Sequence, residues 1–161
     1  MNHLLNHSAR KSFFILLFCA FTGIYFSCIK KTTTTTTTTT TPKVQPTTFT
    51  GSVNGSPTIN FTPTKSASGG STSLVGTSTY YTITLSFSST TGPGSFIIKT
   101  AAGFSASIYD GSNTYVSNAT YGSGSIIIDS IVSGKYYGKY NFIGQLPSTA
   151  TESASGSFTN L

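Results

Sequence analysis

The stretch Tyr81-Thr-Ile-Thr-Leu-Ser-Phe87 decides the fold class, because apolar and polar residues alternate at every position along it. In an extended backbone, successive side chains point to opposite faces. Tyr81, Ile83, Leu85 and Phe87 therefore share one face, and the hydroxyl-bearing residues share the other. A period of two is typical of a β-strand that buries one face.

The same alternation extends through the second half of the chain. It places Phe104, Ala106 and Ile108 on one face of a strand, then Tyr136, Gly138, Tyr140, Phe142, Gly144 and Leu146 on one face of a longer strand, and finally Ala154, Gly156 and Phe158. The continuous apolar runs at 96–98 and 126–128 instead predict strands that are covered on both faces.

Turn residues separate these segments. Asn54-Gly55, Asp110-Gly111 and Ser133-Gly134 are typical of short hairpin connections, and Gly92-Pro93-Gly94 interrupts the chain. No segment carries the apolar spacing of a helix. Residues 47–161 are therefore predicted to form an all-β domain, a single antiparallel β-sandwich or partly closed β-barrel of about nine or ten strands.

Charge is concentrated at the start of the chain. The 161 residues carry a formal net charge of +6, but five of the nine basic residues lie within the first 43 positions. The remainder contains four lysines and three acidic residues, so the predicted domain is nearly neutral. Nucleic-acid binding requires a clustered basic face and is excluded as an expectation.

Residues 1–27 have the order of a secretory signal peptide. Arg10-Lys11 precedes an apolar run at 13–26, whose helical length of about 21 Å is short of a membrane core of about 30 Å. Ser27-Cys28 follows at once and resembles a bacterial lipobox. The resemblance implies cleavage before Cys28 and acyl chains on that residue. An uncleaved signal-anchor is the alternative.

Residues 28–46 are predicted to be a disordered tether. Ten threonines at 32–41 follow a lysine pair and precede Pro42 and Pro46. The tract has no apolar periodicity that could offset the entropy of ordering it. We expect an extended stalk between lipid and domain, although expansion of a repeated codon without any function would produce the same tract.

Four motifs in order resemble a known family. They are Ser52-Val-Asn-Gly55, Tyr121-Gly-Ser-Gly-Ser-Ile-Ile-Ile128, Gly138-Lys-Tyr-Asn-Phe-Ile-Gly144 and Gly156-Ser-Phe-Thr-Asn160. Together with Cys28 and the spacer, residues 49–161 resemble an uncharacterised family of Bacteroidota outer-membrane lipoproteins, in which Phe is usual where Tyr140 stands. The resemblance implies an all-β lipoprotein domain at the outer membrane and brings no activity or catalytic residue.

The composition excludes most catalytic chemistry. After cleavage before Cys28 and lipidation of its thiol, the chain has no histidine and no free thiol, so we expect no catalytic residue, no metal site and no cofactor. Asp110, Asp129 and Glu152 remain as candidates for a carboxylate-based glycoside hydrolase. Asp110 lies in a predicted turn that its side chain would cap, and the other two are expected to be solvated surface groups.

Binding by aromatic side chains is the more open possibility. Several of the tyrosines in the predicted domain lie off the apolar faces or near turns, within the set Tyr80, Tyr109, Tyr115, Tyr121, Tyr136 and Tyr137. Of these, Tyr121, Tyr136 and Tyr137 are the predicted ligand contacts. An exposed, coplanar Tyr121–Tyr136 pair would favour glycan binding, whereas packing at edge strands is the alternative. Asp129-Ser130-Ile131 resembles the phylum's O-glycosylation acceptor and makes Ser130 a candidate modification site.

The resulting expectation is a lipoprotein anchored to the outer membrane through Cys28, with a non-catalytic binding or accessory β-domain. Its ligand would be a glycan or an envelope protein. A purely structural or surface-coat lipoprotein is the alternative, and a carboxylate-based hydrolase is a distant third. The side of the membrane and the oligomeric state stay open.

Overall fold

The structure is a computed structural model that describes residues 44–161. The predicted signal peptide, Cys28 and the threonine tract lie outside the described residues. Ten strands make up the described part. They are β1 (Thr48–Val53), β2 (Ile59–Ser68), β3 (Ser71–Thr77), β4 (Thr82–Ser88), β5 (Gly94–Ile97), β6 (Ser105–Tyr109), β7 (Thr114–Ser117), β8 (Ser123–Val132), β9 (Lys135–Gln145) and β10 (Thr151–Thr159).

Eight of these strands close into an antiparallel barrel. The hydrogen-bonded order runs β10-β1-β2-β3-β4-β6-β7-β9, and β9 pairs again with β10 to complete the ring. β8 and β5 extend the sheet from β9. The chain is therefore all-β, and of the two predicted architectures the barrel is the one that forms. Each strand of the ring has a hydrogen-bonded neighbour on both sides, and β7 and β9 are joined by the Val116–Gln145 pair.

No helix among residues 44–161 is long and apolar enough to cross a membrane.

The predicted alternation is confirmed in the barrel wall. Ile83, Leu85 and Phe87 of β4 are fully buried, and the intervening residues are partly exposed. β9 shows the same pattern, with Tyr140 and Phe142 directed into the core. These inward faces, together with those of β1, β6 and β10, form one hydrophobic cluster inside the barrel.

The prediction that residues 96–98 and 126–128 are covered on both faces is wrong. Ile97 is 59 % exposed and Ile127 is partly exposed, whereas Ile98, Ile126 and Ile128 are buried. β5 and β8 pack one face against the core, and the other face is at least partly exposed at Ile97 and Ile127. The period of two therefore holds here too, hidden by apolar residues at outward positions.

Glycines inside the strands make room for aromatic rings. A Cβ at Gly76 would lie 2.5 Å from the Phe49 ring, and one at Gly138 would lie 2.7 Å from the Phe158 ring. The barrel sets a residue without a side chain opposite a large ring, because small and large residues alternate to fill its interior.

The predicted turns form, but only Ser133-Gly134 is a two-residue hairpin, because the β1–β2 ladder ends at the Gly51–Ile59 pair and leaves residues 52–58 outside that ladder. Asn54 and Gly55 both have positive φ, at 50° and 71°, and Ser133 and Gly134 have φ of 51° and 73°. Left-handed backbone at both central residues is what a type I′ turn requires. Asp110-Gly111 joins β6 to β7, also as predicted.

Candidate functional site

A groove of about 660 Å³ opens in the barrel wall where the β2–β3 ladder ends. The ladder runs from the Ser68–Ser71 pair to the Thr62–Thr77 pair, and beyond Thr77 the chain turns away into β4. The groove is lined by Thr58, Ile59, Asn60, Thr62, Thr77, Ser78, Thr79 and Tyr80.

The turn on one side of the groove is held by the side chain and backbone of Ser78. Its N–H donates to the Tyr81 carbonyl at 2.8 Å, and its Oγ accepts from the Tyr81 N–H at 3.0 Å. Tyr81 packs against the core, whereas Tyr80 is 75 % exposed. The fixed turn thus presents the Tyr80 ring to solvent at the groove.

The other side of the groove exposes the backbone of Asn60. Pro63 has no N–H that could donate to β3. On β2, the backbone hydrogen bonds to β3 are therefore made by Thr62 and by every second residue after it. The backbone groups of every second residue in a strand point to the same edge. The Asn60 N–H and C=O therefore point to the same edge of β2 as those of Thr62, toward the Ser78–Tyr81 turn. In the part of the chain that the structure describes, no hydrogen bond joins the Asn60 backbone to that turn. One donor and one acceptor therefore face the groove.

The lining is uncharged. Its side chains offer four threonine hydroxyls, one serine hydroxyl, one amide, one phenol and the partly buried Ile59. Hydroxyls donate and accept equally well, and a phenol ring adds an apolar face. The arrangement suits a polar ligand without net charge, and it provides no nucleophile with an adjacent base.

Sequence reasoning grouped Tyr80 with other tyrosines near turns but did not select it. The Tyr80-Tyr81 doublet was the available signal, since alternation can turn only one of two adjacent rings inward. The sequence did not indicate Asn60, because whether its backbone N–H and C=O are free depends on where β3 separates from β2.

Tyr121 and Tyr136 do not form the exposed, coplanar pair that would have favoured glycan binding at these residues. Tyr136 is only 7 % exposed and packs edge-on against Phe87 with ring centroids 5.2 Å apart. The Lys65 ammonium covers the same ring at 5.5 Å from its centroid. Tyr121 precedes the start of β8, whereas Tyr136 pairs with Ile131 near its end. The two rings therefore lie at opposite ends of the strand.

Tyr137 is half-buried and its hydroxyl donates to Asn160 Oδ1 at 3.3 Å. The Asn160 amide nitrogen in turn donates to the Gln45 carbonyl at 2.6 Å. This chain of contacts ties the end of β10 to the segment that precedes β1. Tyr121 stays exposed beside a turn capped by Asn118, so of the three predicted contacts it is the accessible one.

Ser130 lies half-buried on β8 beside a β-bulge. The register of the β8–β9 ladder shifts between Ile128 and Ser130, and the extra residue, Asp129, is exposed. The candidate acceptor thus sits within a strand. Its glycosylation stays a prediction.

The carboxylates behave differently from one another. Asp110 Oδ1 accepts from the Ser112 N–H at 2.8 Å and the Asn113 N–H at 2.6 Å, so it caps its turn as predicted. These backbone bonds lower the pKa of Asp110. Glu152 was expected to be a solvated group, yet its Oε2 is buried without a hydrogen-bond partner.

Burial raises the pKa of Glu152, and the negative charge of Asp110 raises it further, whereas an Asn54 amide bond to Oε1 at 3.3 Å opposes the rise. Tyr115 joins the same region, since burial first and then the charges of Asp110 and Glu152 raise its pKa. The fold thus brings Asp110 and Glu152 within electrostatic range, with Asp129 on the distant β8 bulge. No group of three or more potential metal ligands occurs within residues 44–161.

Compared with protein-family models, with curated proteins and with solved structures, the chain shows no match to any of the three.

Proposed function

We propose that this chain is a lipoprotein of the cell envelope whose barrel is a non-catalytic binding module. Cys28, after an apolar run and a small residue, would carry the lipid, and the threonine tract would hold the barrel away from the outer membrane. A glycan or an envelope protein would be the ligand.

The observation that carries the proposal is the groove beside Tyr80. The Tyr80 ring is 75 % exposed on a hydrogen-bonded turn, and it lies beside a groove lined by hydroxyls, so it offers an apolar face and a polar rim to another molecule. A coat protein, the alternative, needs a polar surface but no groove lined by hydroxyls and an aromatic ring.

Thermal unfolding of the full chain, extracted in detergent from a bacterial host that processes lipoproteins, tests the binding role. A ligand that binds only the folded state raises the melting temperature, by an amount that grows with the logarithm of its concentration over its Kd. We expect a rise with at least one member of a set of envelope glycans and purified envelope proteins. A melting temperature unchanged by all of them would favour the structural alternative.

A further inference from the structure

The geometry points to a neutral saccharide as the ligand of the groove, with one sugar ring stacked on Tyr80 and its hydroxyls bonded to the Asn60 backbone. This inference rests on the proposed binding function and names its site and its ligand class.

Tyr80 is suited to stacking because hydrogen bonds already hold the backbone turn that carries it. The Ser78 bonds to Tyr81 hold the turn, so binding would order only the two side-chain torsions of one ring. The phenol combines a flat apolar face, complementary to the apolar face of a pyranose, with a hydroxyl at its rim.

The free N–H and C=O of Asn60 supply a donor and an acceptor on one short stretch of β2. A sugar hydroxyl can both donate and accept, and so can the threonine hydroxyls on either side of the groove. Adjacent hydroxyls of one ring can therefore satisfy both backbone groups, with the lining hydroxyls as further partners.

An extended peptide fits this edge less well. The β2–β3 ladder resumes at the Thr62–Thr77 pair, and β1 occupies the other edge of β2 at Gly51–Ile59. Within β2, the opening therefore exposes the outward backbone groups of one residue, Asn60, whereas strand addition depends on a row of main-chain bonds.

The absence of charge on the groove lining narrows the class of saccharide further. None of the eight lining residues is charged, so an ionised sugar would lose hydration on entering without gaining an opposite charge. Sulfated and uronic-acid saccharides are therefore disfavoured relative to neutral ones.

The test uses the full chain in detergent and isothermal titration with cellohexaose, maltohexaose, xylohexaose, mannohexaose and chitohexaose. A hexagalacturonate and an extended neutral peptide are the charged and peptide comparisons. We expect at least one neutral hexasaccharide to bind, with about a tenfold loss in Tyr80→Ala. Tyr80→Phe should keep most of the affinity because the stacking face remains. Ile97→Ala, which removes an exposed apolar side chain on β5, should leave the affinity unchanged.

A second pair of variants tests the backbone contact. Asn60→Pro removes the N–H that faces the groove, and Asn60→Ala keeps it while removing the side chain. We expect about a tenfold loss of affinity for the proline variant and a smaller loss for the alanine variant. Circular dichroism verifies that each variant folds. If Asn60→Pro does not fold, the Tyr80 variants decide the matter.

The outcomes separate the site, the ligand class and the function. Saccharide binding that Tyr80→Ala leaves intact overturns the groove as the site. Binding of only the peptide or the hexagalacturonate, reduced by Tyr80→Ala, overturns the neutral-saccharide class but supports the binding function. Absence of binding by any probe, together with no rise in melting temperature with any envelope glycan or protein, overturns both.

Discussion

At the scale of single residues, the barrel interior depends on contacts between rings and glycines. The Tyr140 hydroxyl donates to the Thr50 carbonyl at 3.1 Å from inside the barrel. It lies over Gly51 and Gly156, which pair directly across β1 and β10. Burial raises the pKa of Tyr140, so the phenol stays protonated and able to donate.

Replacing Tyr140 by Phe removes that hydrogen bond and leaves the ring in place. We expect the free energy of unfolding to fall by about 1 kcal/mol, the usual net value of one internal hydrogen bond. Urea denaturation measures the change. Tyr80→Phe is the control, because the Tyr80 ring is exposed and its variant should unfold at the wild-type midpoint. Equal midpoints for the two variants would contradict a stabilising Tyr140 bond.

Gly156→Ala should destabilise the barrel by about 3 kcal/mol. The added Cβ would meet the Thr50 carbonyl oxygen, and would lie 2.6 Å from both Gly51 Cα and the Tyr140 hydroxyl, so backbone would have to move. Gly92→Ala is the matched control, since a Cβ there would have no atom within 4 Å. A loss of similar size in both variants would count against the packing argument.

The stability of the Glu152→Gln variant relative to wild type should increase as pH rises. The pKa of Glu152 is raised above its ordinary 4.5 by burial and then by Asp110, so the folded state favours the protonated carboxyl. The stability that the protonated Glu152 carboxyl contributes is fully present below pH 4.5 and is lost as pH rises through the raised pKa. A neutral amide avoids the loss. Urea midpoints of both proteins from pH 4 to pH 8 measure the difference.

Asp110→Asn provides the opposite sign as a control. Backbone bonds lower the pKa of Asp110 below its ordinary 3.8, so its contribution is present above that pH and is lost as pH falls. The variant should therefore be less stable than wild type at neutral pH and should lose less on acidification. Parallel pH curves for the two variants and wild type would contradict both assignments.

At the scale of elements, β5 shows how a short strand can bury one residue and expose its neighbour. Phe96 stacks on Phe104 with ring centroids 4.3 Å apart, Ile97 is 59 % exposed, and Ile98 is 1 % exposed. Three consecutive apolar residues in sequence therefore occupy three different environments. The strand contributes to the core only through its inward face and the turn that follows it.

Two isoleucine substitutions at this element should have unequal effects. Ile98→Thr places a hydroxyl in the core and removes apolar volume, which should cost about 3 kcal/mol. Ile97→Thr keeps the β-branched shape on an exposed face and should change stability by no more than about 0.5 kcal/mol. Chemical denaturation of both variants compares them directly. Similar losses would mean that the outer face of β5 is covered in solution.

At the scale of the whole molecule, the proposed arrangement is a neutral barrel on a tether with a lipid at its start. We expect protein extracted from membranes to have the intact mass of residues 28–161 plus acyl chains. Cys28→Ser should abolish the acyl mass and release the protein from the membrane fraction, because one lipidated residue supplies the anchor. A wild-type mass that includes residues 1–27 would indicate an uncleaved signal-anchor instead.

The sequence by itself determined the all-β class, the hairpin turns and most inward-facing residues. Each of these follows from local chemistry. Side-chain direction in an extended backbone has a fixed period of two, so Ile83, Leu85 and Phe87 had to share a face. Asn54-Gly55 tolerates the left-handed backbone that a tight turn imposes, whatever the rest of the chain does.

Only the tertiary structure decided between sandwich and barrel, because closure depends on β9 meeting both β7 and β10, strands separated from each other in sequence. The same non-local pairing buries Tyr136, leaves Ile97 exposed and brings Glu152 within range of Asp110. It also creates the candidate site, since the Asn60 backbone is free only because β3 turns away after Thr77. Which strands meet, and where a ladder ends, is set by long-range contacts that alternation along a single segment does not specify.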